Sequence, residues 1–283
     1  MTNSLCSIRS ISCFYRNCLS FSHTGVFKKS TPTMSDVYTE FNLFRNLEEI
    51  LQELKKHKNL EPVQQLLQVY DSAKTKAEQN KEVLNHPLII LEGLDGSGKT
   101  SMTRRLGDKL QLTKWKTPPE SIRFIRNYFD NNLTLQNAYY SLGNYIAALE
   151  LSCILPKNPV IMDRYWHSTT AYALAQKVVN NPQNLTLPDF GDAIYKWPGD
   201  LLKPTIVIFL NVSEKKRLER HSRRSAELIT EQEKLLKNNT KFREDVLQAY
   251  KNMREPSVTL INGDGSIEET LSLLLETVNP LFK

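Results

Sequence analysis

Between Leu88 and Thr100 the chain reads LIILEGLDGSGKT, and no other stretch of its 283 residues restricts the fold as much. The run LIIL is too short for a typical helix and predicts a buried strand. After Thr100, Met102, Leu106 and Leu110 recur at four-residue spacing and predict one face of a helix. Strand, glycine-rich loop and helix in that order are the setting of a phosphate-binding loop. Gly93, Gly96 and Gly98 admit backbone conformations closed to residues with side chains, so successive N–H groups can turn inward on phosphate oxygens. The helix N-terminus adds partial positive charge. Gly93, Leu94, Asp95, Gly96, Ser97, Gly98, Lys99, Thr100 and Ser101 are therefore the expected nucleotide-triphosphate loop, with Lys99 as a point charge for the terminal phosphates and the Thr100 hydroxyl as a Mg²⁺ ligand.

Downstream the pattern keeps alternating. Apolar runs at Leu88–Leu91, Val160–Met162, Ile206–Leu210 and Val258–Ile261, with a weaker one at Lys114–Lys116, predict strands. Helical stretches at Asn137–Leu155, His167–Val179 and Glu231–Met253 separate them, and Ser266 with Glu269 stands at capping-box spacing before a last helix. Over residues 87–283 this alternation predicts an α/β fold, a P-loop NTPase-type parallel sheet covered by helices on both faces. Residues 34–86 form a separate zone, a helical extension. There Leu43, Leu47, Ile50, Leu51 and Leu54, a break near Asn59–Pro62, and then Val63, Leu66, Leu67 and Tyr70 predict two amphipathic helices packed on the larger domain.

The net charge of +6 raises the question of a nucleic-acid partner. Its location answers it: residues 1–35 hold Arg9, Arg16, Lys28 and Lys29 and no acid, which leaves 33 basic against 31 acidic residues elsewhere. No nucleic-acid partner is expected, because no Lys/Arg tract with interleaved aromatics occurs in that remainder. No membrane partner is expected either, because no apolar run reaches spanning length. Residues 1–33 are Ser-rich, Arg-bearing and acid-free, with scattered Ile8, Ile11, Phe14, Leu19 and Phe21. That is the make-up of a mitochondrial transit peptide, and the matrix is the expected location. Three of the four cysteines lie in this leader. Its removal would leave Cys153 alone, a small core residue in an apolar helical pattern, with no internal disulfide or cysteine zinc site.

Asp163 and Arg164 end the strand PVIMD and should emerge at the carboxyl edge of the sheet, where open α/β sheets bind ligands. An Asp-Arg pair is common on protein surfaces; the order of motifs around this one is not. EGLDGSGKT, then DRYWHSTTAY, then PTIVIFLNVS followed by an Arg-rich stretch resemble the thymidylate-kinase family of nucleoside monophosphate kinases. YYSLGNYIAA, DRYWHST, YKWP and DLLKP are most similar to its mitochondrial UMP-CMP branch. The resemblance covers residues 87–283 and does not account for 34–86. It implies that the loop holds ATP with Mg²⁺ and that Asp95 approaches the acceptor sugar. It further implies that Arg164 binds phosphate between donor and acceptor while Asp163 helps hold the metal and its waters. Tyr140 would stack on the acceptor base, with Tyr172 also in the substrate site. The loop Pro118–Arg126 would lie near the acceptor phosphate through Arg126 or Arg123.

The chemistry fits this inventory. A nucleoside monophosphate already presents an ionised oxygen near neutral pH, so the obstacle is bringing two polyanions together, and catalysis comes from positioning and positive charge. Arg217, Arg220, Arg223 and Arg224 resemble the family's mobile lid. Gly96 leaves the loop without the arginine that some thymidylate kinases place there, so Arg220 and Arg224 are expected to supply the charge; the alternative is a solvated basic face. Asn144, one turn after Tyr140, stands where thymidylate kinases commonly carry an arginine for the thymine carbonyl. A donor and an acceptor on a shorter arm favour CMP and UMP over dTMP. The expected activity is ATP-dependent phosphorylation of CMP, UMP, dCMP or dUMP. Alternatives are a thymidylate kinase, a deoxynucleoside kinase with Glu92 as base, and a nucleotide-binding regulator without turnover. Small nucleotides are the expected partners, and a homodimer is left open.

Overall fold

The computed structural model describes residues 34–80, 82–221, 235–236 and 238–282. Residues 1–33, and Arg223 and Arg224 of the expected lid, lie outside them. All five expected strands form: β1 (Leu88–Glu92), β2 (Thr113–Lys116), β3 (Val160–Asp163), β4 (Ile206–Asn211) and β5 (Val258–Asn262). They make one parallel sheet in the order β2-β3-β1-β4-β5. Central β1 is buried along its whole length. Its alternate residues feed two apolar layers, Leu88 and Ile90 on one face and Ile89 and Leu91 on the other, as the two-residue strand period requires. The weak signal at β2 has a cause: it is an edge strand, and the lysines of TKWK are exposed.

Helices cover both faces: α1 (Met34–Phe41), α2 (Leu47–Lys56), α3 (Glu61–Gln79), α4 (Lys99–Leu110), the short α5 (Glu120–Arg123), α6 (Leu133–Ser152), α7 (Trp166–Asn180), α8 (Glu214–His221), α9 (Thr240–Asn252) and α10 (Ile267–Val278). The extension therefore has three helices, not two. Asn42 enters the left-handed region at φ +54 and ends α1, and the Asn46 side chain accepts the Glu49 N–H to start α2. The single helix expected over Glu231–Met253 is interrupted where Asn239 takes an extended conformation and accepts the Phe242 N–H, capping α9. α10 opens with the reciprocal Ser266–Glu269 capping box.

The extension shares the core of the sheet domain. Ile50, Leu54, Val63 and Leu66 join the same apolar cluster as Leu142, Ile146 and Met162, with α2 and α3 lying against α6. Cys153 departs from the expectation of a core position: as the C-cap of α6 it is only half-buried, at the helix end where the core stops. Among the described residues no helix is long and apolar enough to cross a membrane.

Candidate active site

The chain leaves β1 at Glu92 and re-enters helix at Lys99. Gly98 caps α4 at φ +92, and a Cβ on Gly93 would meet the Leu210 carbonyl oxygen at 3.0 Å, so both positions need glycine. The Lys99 ammonium folds back across the loop, donating to the carbonyls of Gly93 (2.9 Å) and Leu94 (3.1 Å) and lying 4.0 Å from the Asp95 carboxylate. Burial, with Arg164 nearby, pushes its pKa down to about 8 against the pull of Asp95, Asp163 and Glu92. Thr100 Oγ1 donates to Asp163 Oδ2 at 2.6 Å, joining the first turn of α4 to the end of β3. Asp163 Oδ1 is buried with no hydrogen-bond partner. A hydroxyl beside a carboxylate with one unsatisfied oxygen is a donor set for a hard divalent cation that takes its other ligands from water and phosphate.

Arg164 follows β3 in a left-handed turn, φ +68, with its N–H donating to the Leu91 carbonyl (3.0 Å). Its guanidinium pairs with Asp95 Oδ1 and lies over the Tyr172 ring, 5.1 Å from the centroid. Tyr172 donates to Asp95 Oδ2 (3.3 Å), so both oxygens of Asp95 are engaged. Burial opposes the charge on Arg164, but Asp95 and its neighbours outweigh it and hold the group protonated. Glu92 is fully buried behind the loop. Its Oε1 accepts the N–H groups of Tyr165 (2.9 Å) and Ser168 (3.2 Å), and its Oε2 accepts the Tyr250 hydroxyl (2.8 Å). Burial pushes this carboxyl up to about 7, although Arg164 and the Tyr250 hydroxyl favour its charged form.

Beside the loop lies a cavity of about 290 Å³. α6 contributes Asn137, Tyr140 and Asn144; α7 contributes Ser168, Thr169, Tyr172 and Ala173; Arg123 and Arg126 enter from α5 and the turn after it; Asp95 and Arg164 close the side nearest the loop. The expected acceptor residues Asp95, Arg126, Tyr140, Asn144, Arg164 and Tyr172 thus face one space, and Arg123 faces it too. Arg126 Nε donates to the Tyr140 hydroxyl at 3.0 Å, with Asp130 3.5 Å away. Asn144 is 1% exposed; its Nδ2 donates to Thr169 Oγ1 (3.0 Å) while its Oδ1 has no partner.

The basic face of α8 is not simply solvated. Arg217 is buried and donates to the Asp95 carbonyl (3.2 Å); Arg220 donates to the carbonyls of Ser97 (2.8 Å) and Gly263 (3.1 Å), so both hold the loop from above. Arg224 lies outside the described residues. Sequence reasoning missed Thr169, whose only signal is its place one turn before Tyr172 on α7. It also missed Asn137, one turn before Tyr140 on α6, whose Nδ2 donates to the Asn42 carbonyl (3.1 Å) of the extension.

Comparison with known proteins agrees with this geometry. The sequence profile of the family described as thymidylate kinase matches residues 91–273. The human protein "UMP-CMP kinase 2, mitochondrial" is 39% identical over 196 residues, which is 69% of this chain but only 43% of that protein. A "Probable thymidylate kinase" of Pyrococcus horikoshii is 25% identical over 208 residues, 67% of this chain and 94% of that protein. The thymidylate kinase structure of Candida albicans superposes with a TM-score of 0.52 at 21% identity, covering 69% of this chain and 92% of its own, a likeness of fold. A parallel sheet in the order β2-β3-β1-β4-β5, a phosphate loop after β1 and an arginine-lined cavity beside it, matched by that profile, establish that the chain belongs to the thymidylate kinase family.

Proposed function

We propose that the chain is an ATP-dependent nucleoside monophosphate kinase acting on the pyrimidine monophosphates CMP, UMP, dCMP and dUMP. One observation carries the reading: Arg123, Arg126 and Arg164 converge on the cavity beside the phosphate loop, while the carboxylates near it are already engaged, Asp95 by Arg164 and Tyr172 and Glu92 by α7 and Tyr250. Such a cavity suits an acceptor that brings its own ionised oxygen. A 5′-hydroxyl acceptor would need a base, and the earlier candidate, Glu92, is buried away from the cavity.

In this reading an acceptor phosphate oxygen attacks the γ-phosphorus in line, the bond to the β,γ-bridging oxygen breaks, and that oxygen leaves on ADP. Lys99, Arg164, Arg220 and Arg224 offset the charge that two polyanions bring together. Thr100 and Asp163 would hold Mg²⁺, an assignment supported by the unpartnered Asp163 Oδ1; bound there, the ion neutralises phosphate charge. Asp95 and Tyr172 face the acceptor sugar, Arg126 the acceptor phosphate, Tyr140 the face of the base and Asn144 its edge. The pyrimidine preference is supported by Asn144 and by the 39% identity to a UMP-CMP kinase. Residues 1–33 are proposed to direct mitochondrial import, 34–86 to form a helical extension and 87–283 the kinase domain. A reporter fused to 1–33 should accumulate in mitochondria, and a diffuse cytosolic signal overturns that assignment.

A coupled ADP-release assay across CMP, UMP, dCMP, dUMP, dTMP, AMP, GMP and cytidine tests the activity. The highest kcat/KM should fall on a cytosine or uracil monophosphate. Preference for dTMP would make the chain a thymidylate kinase, turnover of cytidine but not CMP a nucleoside kinase, and ATP binding without ADP release a regulator.

A further inference from the structure

We propose that Glu92 is a positioning residue that holds Arg164 in the turn from which its guanidinium reaches the acceptor cavity; the inference rests on the reading of the chain as a monophosphate kinase. Arg164 sits at φ +68, a conformation that residues with a Cβ avoid unless their surroundings impose it. The imposing contacts are on the two flanking peptide groups. The Arg164 N–H is tied to the Leu91 carbonyl and the Tyr165 N–H to Glu92 Oε1, so consecutive residues of β1 grip consecutive residues of the turn.

Tyr165 opens α7 without a capping side chain of its own. Glu92 Oε1 takes that part, accepting the Ser168 N–H as well, and places negative charge at the helix N-terminus. The second oxygen is fixed from α9 by the Tyr250 hydroxyl. Because β1 also leads directly into the phosphate loop, one strand end sets both the loop and the arginine that pairs with Asp95 of that loop. An apolar side chain at position 92 would fill the space and leave the N–H groups of Tyr165 and Ser168 buried without acceptors. The carboxylate itself is 0% exposed and lies outside the acceptor cavity, so its action passes through Arg164.

Glu92→Ala, Glu92→Gln, Arg164→Ala and the double variant Glu92→Ala/Arg164→Ala test this in the full chain. Glu92→Ala should lower kcat at least ~30-fold with the KM for ATP within about twofold, whereas Glu92→Gln, which can still accept the two N–H groups, should recover most of the loss. In the Arg164→Ala background the same Glu92→Ala change should cost less than about threefold, because its target is gone. An equal cost in both backgrounds, or a Glu92→Ala enzyme within threefold of wild type, overturns the proposal. Should Glu92→Ala fail to fold, Glu92→Asp, too short by one methylene to reach both α7 and Tyr250, replaces it with the same criteria. A readout independent of turnover separates this inference from the kinase reading. Amide exchange of Tyr165 and Ser168 should accelerate in the Glu92 variant while that of β4 does not change, and slow exchange in both proteins refutes the clamp. Absence of turnover by the wild type with every monophosphate instead refutes the kinase reading.

Discussion

Lys99 donates to the carbonyls of Gly93 and Leu94, which therefore compete with the phosphates it is proposed to serve. Its pKa, lowered to about 8, sets a window: above pH 8 the ammonium is partly deprotonated until an arriving triphosphate pulls its pKa back up. Binding of ATP at pH 8.5 should then take up a proton. Calorimetry in two buffers of different ionisation heat would detect it, and Lys99→Met should abolish it. In turnover, Lys99→Ala should lower kcat at least ~10²-fold, about 2.7 kcal/mol of transition-state stabilisation. The cavity makes a separate prediction. Asn144 has one polar atom spent on Thr169 and one unspent, so Asn144→Ala should cost CMP ~1–3 kcal/mol in kcat/KM, and Asn144→Arg should shift the CMP-to-dTMP ratio toward dTMP. A ratio unmoved by either change removes Asn144 from base reading.

At the scale of elements, β1, β3 and β4 were legible because they are short apolar runs in the interior of the sheet, packed from both sides. β5 was legible because its run is apolar, although it lies at the edge with Ile261 its buried residue. The capping box of α10 was legible too, since both partners lie within one turn. Ser266→Ala should cost about 1 kcal/mol in denaturant unfolding, the usual worth of an N-cap, with no change in kinetics. What sequence did not reveal turns either on the conformation that a single asparagine adopts or on contacts between distant segments. The split of the extension into three helices turns on Asn42 adopting φ +54, and the break before α9 on Asn239 choosing to cap. Glu92 looked like a candidate base because nothing local shows that it ends among the N–H groups of α7 and the hydroxyl of Tyr250. The loop residues, by contrast, were picked out by the spacing of their motif, and the DR pair by its place at the end of an apolar strand and by the family resemblance.

Across the whole molecule, the extension is structural for the sheet domain. Leu54 and Leu66 are fully buried in the layer that also holds Leu142 and Ile146 of α6. Leu66→Ala should destabilise the protein by about 2–5 kcal/mol, and a chain beginning at residue 87 should unfold at markedly lower denaturant concentration than one beginning at residue 34. Equal midpoints for the two chains would show that the helices merely decorate the surface. Asn137 extends the point beyond stability. A wall of the acceptor cavity is moored to the carbonyl of Asn42, outside the 91–273 segment by which family membership is recognised. If that cavity takes the acceptor, an extension whose backbone did not bring this carbonyl to Asn137 would leave a buried amide in the cavity wall without its acceptor, a cost that falls on the site and not only on the fold.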